Sequence, residues 1–197
     1  MREVELKAVV DDLAGTRKLL EQAGAKLTFE GRLSDRRYDV ESRELTGRDE
    51  VLRVRRYEGR ASSKTYIDWK GPTETQDVYK VREELSTLVE DSDTLDQILT
   101  RLGFIVTSEI DREIAQYELG GATIRFETYP RMDVLVEVEG QPESIEQAIE
   151  ALGMARGQFT SDRLRSFVQR FEQRTGVRAA TCDREMEGDY QFRAETT

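Results

Sequence analysis

The sequence predicts an α+β domain built on a closed antiparallel β-sheet whose charged side chains turn inward. Four stretches carry charge on every second residue: Glu3-x-Glu5-x-Lys7, Arg53-x-Arg55, Arg82-x-Glu84 and Glu137-x-Glu139, set among largely apolar residues of the other parity. Successive side chains of a strand point to opposite faces, so Glu3, Glu5 and Lys7 project together while Val4 and Leu6 face a core. Short strand-like stretches at close spacing also suggest a meander. A closed sheet lined with both signs would bind a polyanion through its bases and metal ions through its acids.

The elements follow in chain order. Residues 3–10 read as a strand, and Asp11 and Asp12 can cap a helix carrying Leu13, Leu19, Leu20 and Ala23 that stops at Gly24 and plugs or covers the sheet. Strands are expected near 26–31, 35–40, 50–58, 63–70, 77–86 and 87–90, with breaks at Gly47, Gly59, Gly71 and Pro72. A helix from Thr94 to Leu102 presents Leu95, Ile98, Leu99 and Leu102 at helical spacing and ends at Gly103. Strands at 105–118, 122–128 and 133–139 follow, with Gly120-Gly121 as a hairpin signal. A third helix places Ile145, Ala148, Ile149 and Leu152 on one face, and an amphipathic helix over 160–174 carries Leu164, Phe167, Val168 and Phe171. The helix ends LLEQAGAKL, ILTRLGFIV and AIEALGMAR look alike, a hint that strand–helix units recur. Residues 1–176 are expected to form one domain, and residues 177–197, polar and without apolar period, a loosely ordered tail or peripheral segment.

Composition narrows the chemistry. A net charge of −10 argues against nonspecific nucleic-acid binding, so a phosphate site must be local and enclosed. The absence of histidine removes the commonest general base and every His-ligated metal, and the single Cys182 excludes an internal disulfide framework. Carboxylates with lysine and arginine remain, a set that suits Mg²⁺ or Mn²⁺ and phosphoryl chemistry. No apolar run approaches the roughly 18 residues of a membrane span and no signal-peptide core opens the chain, so a cytoplasmic protein without membrane contact is expected. An acidic exterior neither requires nor excludes a homodimer.

Together and in order, EVELK at 3–7, RRYD at 36–39, EVLRVR at 50–55, WKGP at 69–72, VREEL at 81–85 and LVEVEG at 135–140 followed by IEQAIEALG resemble the CYTH family, the triphosphate tunnel metalloenzymes. That family includes class IV adenylate cyclases, thiamine triphosphatases and inorganic triphosphatases. The resemblance implies an eight-stranded antiparallel β-barrel with flanking helices, whose tunnel binds ATP or another triphosphate and one or two divalent cations. By position, Glu3, Glu5, Glu127, Glu137 and Glu139 would be metal ligands. Lys7, Arg53, Arg55, Lys70, Arg82, Arg112 and Arg125 would grip phosphate oxygens, and Lys7 and Glu84 are the candidates for a direct part in catalysis. The second half departs from the pattern: Ile110 stands where similar sequences carry a base, unless Arg125 supplies it, Glu127 replaces an aspartate, Ser86 replaces an acid, and the last helix lacks the usual opening tyrosine. A class IV cyclase is the leading expectation, triphosphate hydrolysis the second, and a catalytically impaired triphosphate-binding module the third.

Overall fold

A computed structural model describes the chain over residues 2–60, 62–76 and 79–193, with the side chains of 2–4, 75, 76, 79 and 80 excepted. Eight antiparallel strands form a strongly curled sheet: β1 (Arg2–Val9), β2 (Lys26–Val40), β3 (Val51–Gly59), β4 (Ser63–Lys70), β6 (Tyr79–Val89), β7 (Phe104–Leu119), β8 (Ala122–Thr128) and β9 (Leu135–Glu139). A ninth, β5 (Glu74–Gln76), adds only three residues beside β6. The order is β1-β9-β8-β7-β2-β3-β4-β6-β5, and β1 also pairs with β6 from Arg2↔Glu83 to Glu5↔Lys80, so the sheet meets itself.

Parity sorts the two faces. Outward residues Leu6 and Ala8 of β1, Tyr117 of β7, Ile124 and Phe126 of β8, and Val136 and Val138 of β9 form one core with the helices α1 (Leu13–Gln22) and α4 (Pro142–Ala151). Ile145, Ala148, Ile149 and Leu152 are the buried stripe expected of α4, and each fully buried Ile or Leu contributes about 1.5–3 kcal/mol. Asp12 caps α1 by accepting from Gly15 N at 2.9 Å, so this helix covers the sheet from outside. Asp91 caps α3 (Ser92–Arg101) in the same way through Thr94 N. Gly120 and Gly121, at φ +57° and +86°, make the two-residue turn between β7 and β8 that the sequence signals.

Two expectations change and a third is narrowed. The stretches 26–31 and 35–40 are one strand, because β2 is hydrogen-bonded on both sides, to β3 and to β7, through the intervening residues. Gly31 permits this: a Cβ there would lie 2.3 Å from the Glu58 carbonyl oxygen of β3. The stretches 77–86 and 87–90 likewise merge into β6, except that residues 77 and 78 lie outside the described residues.

The third concerns the C-terminal part. Helix α5 (Leu164–Thr175) puts Phe167 and Leu164 against Ile110, Tyr129, Leu135 and Val9, an apolar seal on the inner face of the sheet. Beyond it, residues 177–193 lie along the half of β7 that β8 is too short to reach. Glu109 N donates to Phe192 O at 2.9 Å, Asp111 N to Thr181 O at 2.8 Å, and Arg131 pairs with Ala180 in both directions. Ala179, Ala180, Thr181 and Cys182 are buried there, covering an edge that would otherwise be open to strand addition. Of the two readings of 177–197, a loosely ordered tail or a peripheral segment, these contacts favour the second through Arg193, and residues 194–197 lie outside the described residues. Among the described residues no helix is long and apolar enough to cross a membrane.

Candidate functional site

The inward parity of the same strands builds a charged lumen. Across β1, β9, β8 and β7 one rung reads Lys7, Glu137, Arg125, Gln116. The neighbouring rung opposes Glu5 to Glu139. Across β7, β2, β3, β4 and β6 another rung reads Ser108, Arg37, Arg53, Asp68, Ser86, and the next joins Ile110, Asp35 and Arg55.

Most of these charges are neutralised by a partner. Lys7 contacts Glu137 and lies 3.3 Å from Glu5, while Arg125 reaches Glu137 at 2.8 Å and Gln116 at 3.1 Å. Arg112 donates to Glu127 at 2.7 Å and to Asp35 at 3.0 Å, and Tyr129 donates its hydroxyl to Glu127 at 2.8 Å. Arg55 binds the other Asp35 oxygen at 3.0 Å. Arg53 grips Asp68 through two nitrogens at 2.8 and 3.1 Å, and Ser86 donates to Asp68 at 2.6 Å. Glu84 stands 3.3 Å from Lys70 and 3.5 Å from Arg53. Arg82 donates to the carbonyls of Gly71 at 2.7 Å and Asp49 at 2.6 Å.

The electrostatics follow from these pairs. Burial alone would raise the pKa of Asp35, but Arg55, Arg112 and Arg53 hold it well below the usual carboxylate range. Glu137 behaves likewise: burial opposes ionisation, and Lys7 and Arg125 outweigh it. Burial would lower the Lys7 pKa, and Glu137, Glu5 and Glu127 raise it instead.

The lining of the lumen cavity brings together Glu5, Lys7, Arg53, Arg55, Lys70, Arg82, Arg112, Glu127 and Glu137, while Glu84, Arg125 and Glu139 stand beside them in the strand register without lining the cavity. The Glu3 side chain lies outside the described residues, although its backbone pairs with Arg82. Sequence reasoning passed over Asp35 and Asp68, the acids that hold the arginines, and Tyr129, and it left Arg36 and Arg37 equally open to a substrate contact and a solvated face. Asp35-x-Arg37 and Asp68-x-Lys70 repeat the alternation of the four chosen stretches, so the signal was present. Asp39, the acid of RRYD, serves the fold instead. It accepts from Val40 N, Leu45 N and Thr46 N and so shapes α2 (Glu44–Gly47).

The lumen opens into a cavity of about 900 Å³, which α5 and the C-terminal segment also line through Arg163, Arg165, Gln191 and Arg193. Among the described residues its lining carries eleven Lys and Arg side chains against seven Asp and Glu, in a chain whose overall charge is −10. A second hollow of about 560 Å³, lined by Arg17, Glu30, Glu58, Arg60 and Glu113, has no such excess of cations.

A match to the CYTH domain covers residues 1–156. The chain belongs to the CYTH family. A Methanocaldococcus jannaschii protein named as a candidate adenylate cyclase is 31% identical over 104 residues, which span 53% of this chain and 57% of that protein. A Vibrio parahaemolyticus structure, also named as a candidate adenylate cyclase, has a TM-score of 0.72 at 18% identity, covering 85% of this chain and 97% of its own. A Hippeastrum candidate adenylyl cyclase described as having a dominant triphosphatase activity gives a TM-score of 0.55 at 14% identity, with 82% and 90% covered. These last two likenesses establish the fold alone. CYTH family proteins are typically metal-dependent and bind triphosphates. The α5 seal and the segment after it lie beyond the matched residues.

Proposed function

We propose that this protein is a divalent-metal-dependent enzyme acting on a triphosphate held in the lumen, and that its reaction is conversion of ATP to cyclic AMP and pyrophosphate. The observation that supports it is the cationic excess of a concave cavity inside an acidic protein, which favours a compact polyanion over extended nucleic acid.

Hard oxygen donors suit Mg²⁺ or Mn²⁺, and the opposed pair Glu5 and Glu139, with Glu137 one rung away, is the set that would hold such an ion. Among the described residues no three acids converge as a ready-made metal cluster, so phosphate oxygens and water would complete the coordination. When bound, the ion neutralises phosphate charge and makes a coordinated hydroxyl more acidic.

The chain's own residues supply the rest. Arg53, Arg55 and Arg112 line the cavity and are already held by Asp68, Asp35 and Glu127, so they would meet phosphate oxygens with little reorganisation. Lys7 and Lys70 act as point charges beside the phosphates. In cyclisation the ribose 3′-oxygen attacks the α-phosphorus, its proton passes to Glu84, and pyrophosphate leaves toward the arginines. In the second reading, water attacks the terminal phosphorus. That reading gains support from the lining, whose aromatic side chains among the described residues are Tyr38 and the Glu127-bound Tyr129, a poor platform for a base.

Purified protein incubated with ATP, tripolyphosphate or thiamine triphosphate, each with Mg²⁺ or Mn²⁺, decides between them. Cyclic AMP with pyrophosphate supports the cyclase and free phosphate the hydrolase, whereas tight binding without turnover leaves only a binding module. Unchanged metal-dependent activity in both Glu5→Ala and Glu139→Ala would remove the assigned metal site.

A further inference from the structure

Building on the lumen as a triphosphate site, we infer that Arg37 and Ser108 form a phosphate-oxygen subsite that replaces the base missing at position 110. The two residues face each other in the β2–β7 register and both line the cavity. Buried side-chain atoms without a hydrogen-bond partner number three among the described residues, and two of them are Arg37 Nε and Ser108 Oγ. The third, Glu185 Oε1, belongs to the C-terminal segment and is absent from the cavity lining. Buried polar atoms are nearly always partnered in folded proteins, and two orphaned donors side by side mark a place where an acceptor belongs.

The local geometry appoints these residues to that place. The β2–β7 register shifts between Arg37 and Tyr38, leaving Thr107 as an extra residue whose hydroxyl donates to Arg37 O at 3.4 Å. A bulge of this kind re-aims the side chains beside it. Position 110, two residues along β7, belongs to the apolar seal with Phe167, Leu135 and Tyr129, where a charged side chain would be set against apolar neighbours. Arg125, the other candidate for the missing base, is taken up by Glu137 and Gln116. Arg37 instead lies opposite Arg53 and forms no ion pair among the described residues. Burial first, and then Arg53, push its pKa down to about 10; Asp35 opposes this, while Arg82 and Arg112 add to it. The group is still a cation at neutral pH, and an arriving polyanion relieves the repulsion around it.

Calorimetric titration with inorganic tripolyphosphate, with and without Mg²⁺, tests this. Arg37→Gln is expected to weaken binding about 10- to 100-fold, the size of one lost charge-assisted contact, and Ser108→Ala about 3- to 10-fold. Arg37→Lys, which keeps the charge, should recover most of the loss. The melting temperature of unliganded Arg37→Gln should equal or exceed that of the wild type, because an unpaired cation has been removed. A lowered one would assign Arg37 to the fold and overturn the inference. Wild-type protein that binds tripolyphosphate together with an Arg37→Gln variant that binds it equally well would sink the subsite and leave the broader reading standing. Wild-type protein that takes up no tripolyphosphate would sink both.

Discussion

Asp35 and Arg37 are two residues apart on the same face of β2 and have opposite surroundings. Asp35, 2% exposed, meets Arg55 and Arg112 at 3.0 Å and Arg53 at 3.8 Å. Arg37 lies opposite Arg53 with its buried Nε unpartnered, and Asp35 only partly offsets the repulsion between the two. The Asp35 cluster is a charge arrangement that the folded state completes for itself, whereas Arg37 is completed only by something that enters. Breaking a buried pair costs far more than the pair contributes over an apolar replacement, because the remaining charge is stranded. An unpaired cation has the reverse sign: its removal stabilises the empty protein.

The largest effect is therefore expected at Asp35. Asp35→Ala strips Arg55 of its close carboxylate and leaves Arg112 and Arg53 with only Glu127 and Asp68, and should lower unfolding free energy by about 3–5 kcal/mol in denaturant titrations. A loss under about 1 kcal/mol would break the comparison with Arg37. The pH dependence sharpens it. The folded pKa values of Asp35, Glu137 and Asp68 lie below their ordinary values of 3.8, 4.5 and 3.8, so their stabilisation is full above those values and declines as pH falls toward the folded ones. The urea midpoint should hold from neutrality to about pH 5 and drop steeply below about pH 4, with a shallower drop in Asp35→Asn.

A smaller change follows at the edge of the cluster. Tyr129→Phe removes one donor from Glu127 while Arg112 remains, and should lower stability by about 1.5 kcal/mol. The smallest lies outside the lumen. Arg156 and Glu146 pair at 2.8 Å on the surface, and Arg156→Ala should shift stability by no more than about 0.5 kcal/mol. Equal losses for Arg156→Ala and Asp35→Ala would remove enclosure as the reason for the difference.

The C-terminal segment sets the cost of an open edge. A chain ending at Gly176 uncovers the backbone of Glu109 and Asp111, and should self-associate with rising concentration in light scattering.

Much of the wall was legible because strand parity is local. Within each strand Glu5 and Lys7, Arg53 and Arg55, and Glu137 and Glu139 share a face whatever the fold, since alternation is a property of extended backbone, and two glycines suffice for the turn between β7 and β8. Asp35 and Asp68 escaped notice although their spacing was the same, because an isolated aspartate in a strand also fits a solvated face. Only their partners, 20 and 77 residues away for Asp35, reveal what they do. The join of 26–31 to 35–40 was illegible for a related reason: Gly31, Arg32 and Ser34 weaken the local strand signal, and pairing on both sides restores it.

The sequence by itself determined which side chains alternate, where the chain turns and which residue types are available for chemistry, since these depend on neighbours within a few bonds. The tertiary structure alone decided which cations are answered and which are left open, and that the last segment closes the edge of β7. Both depend on contacts between residues far apart in the chain, where distance and burial set the electrostatic energy.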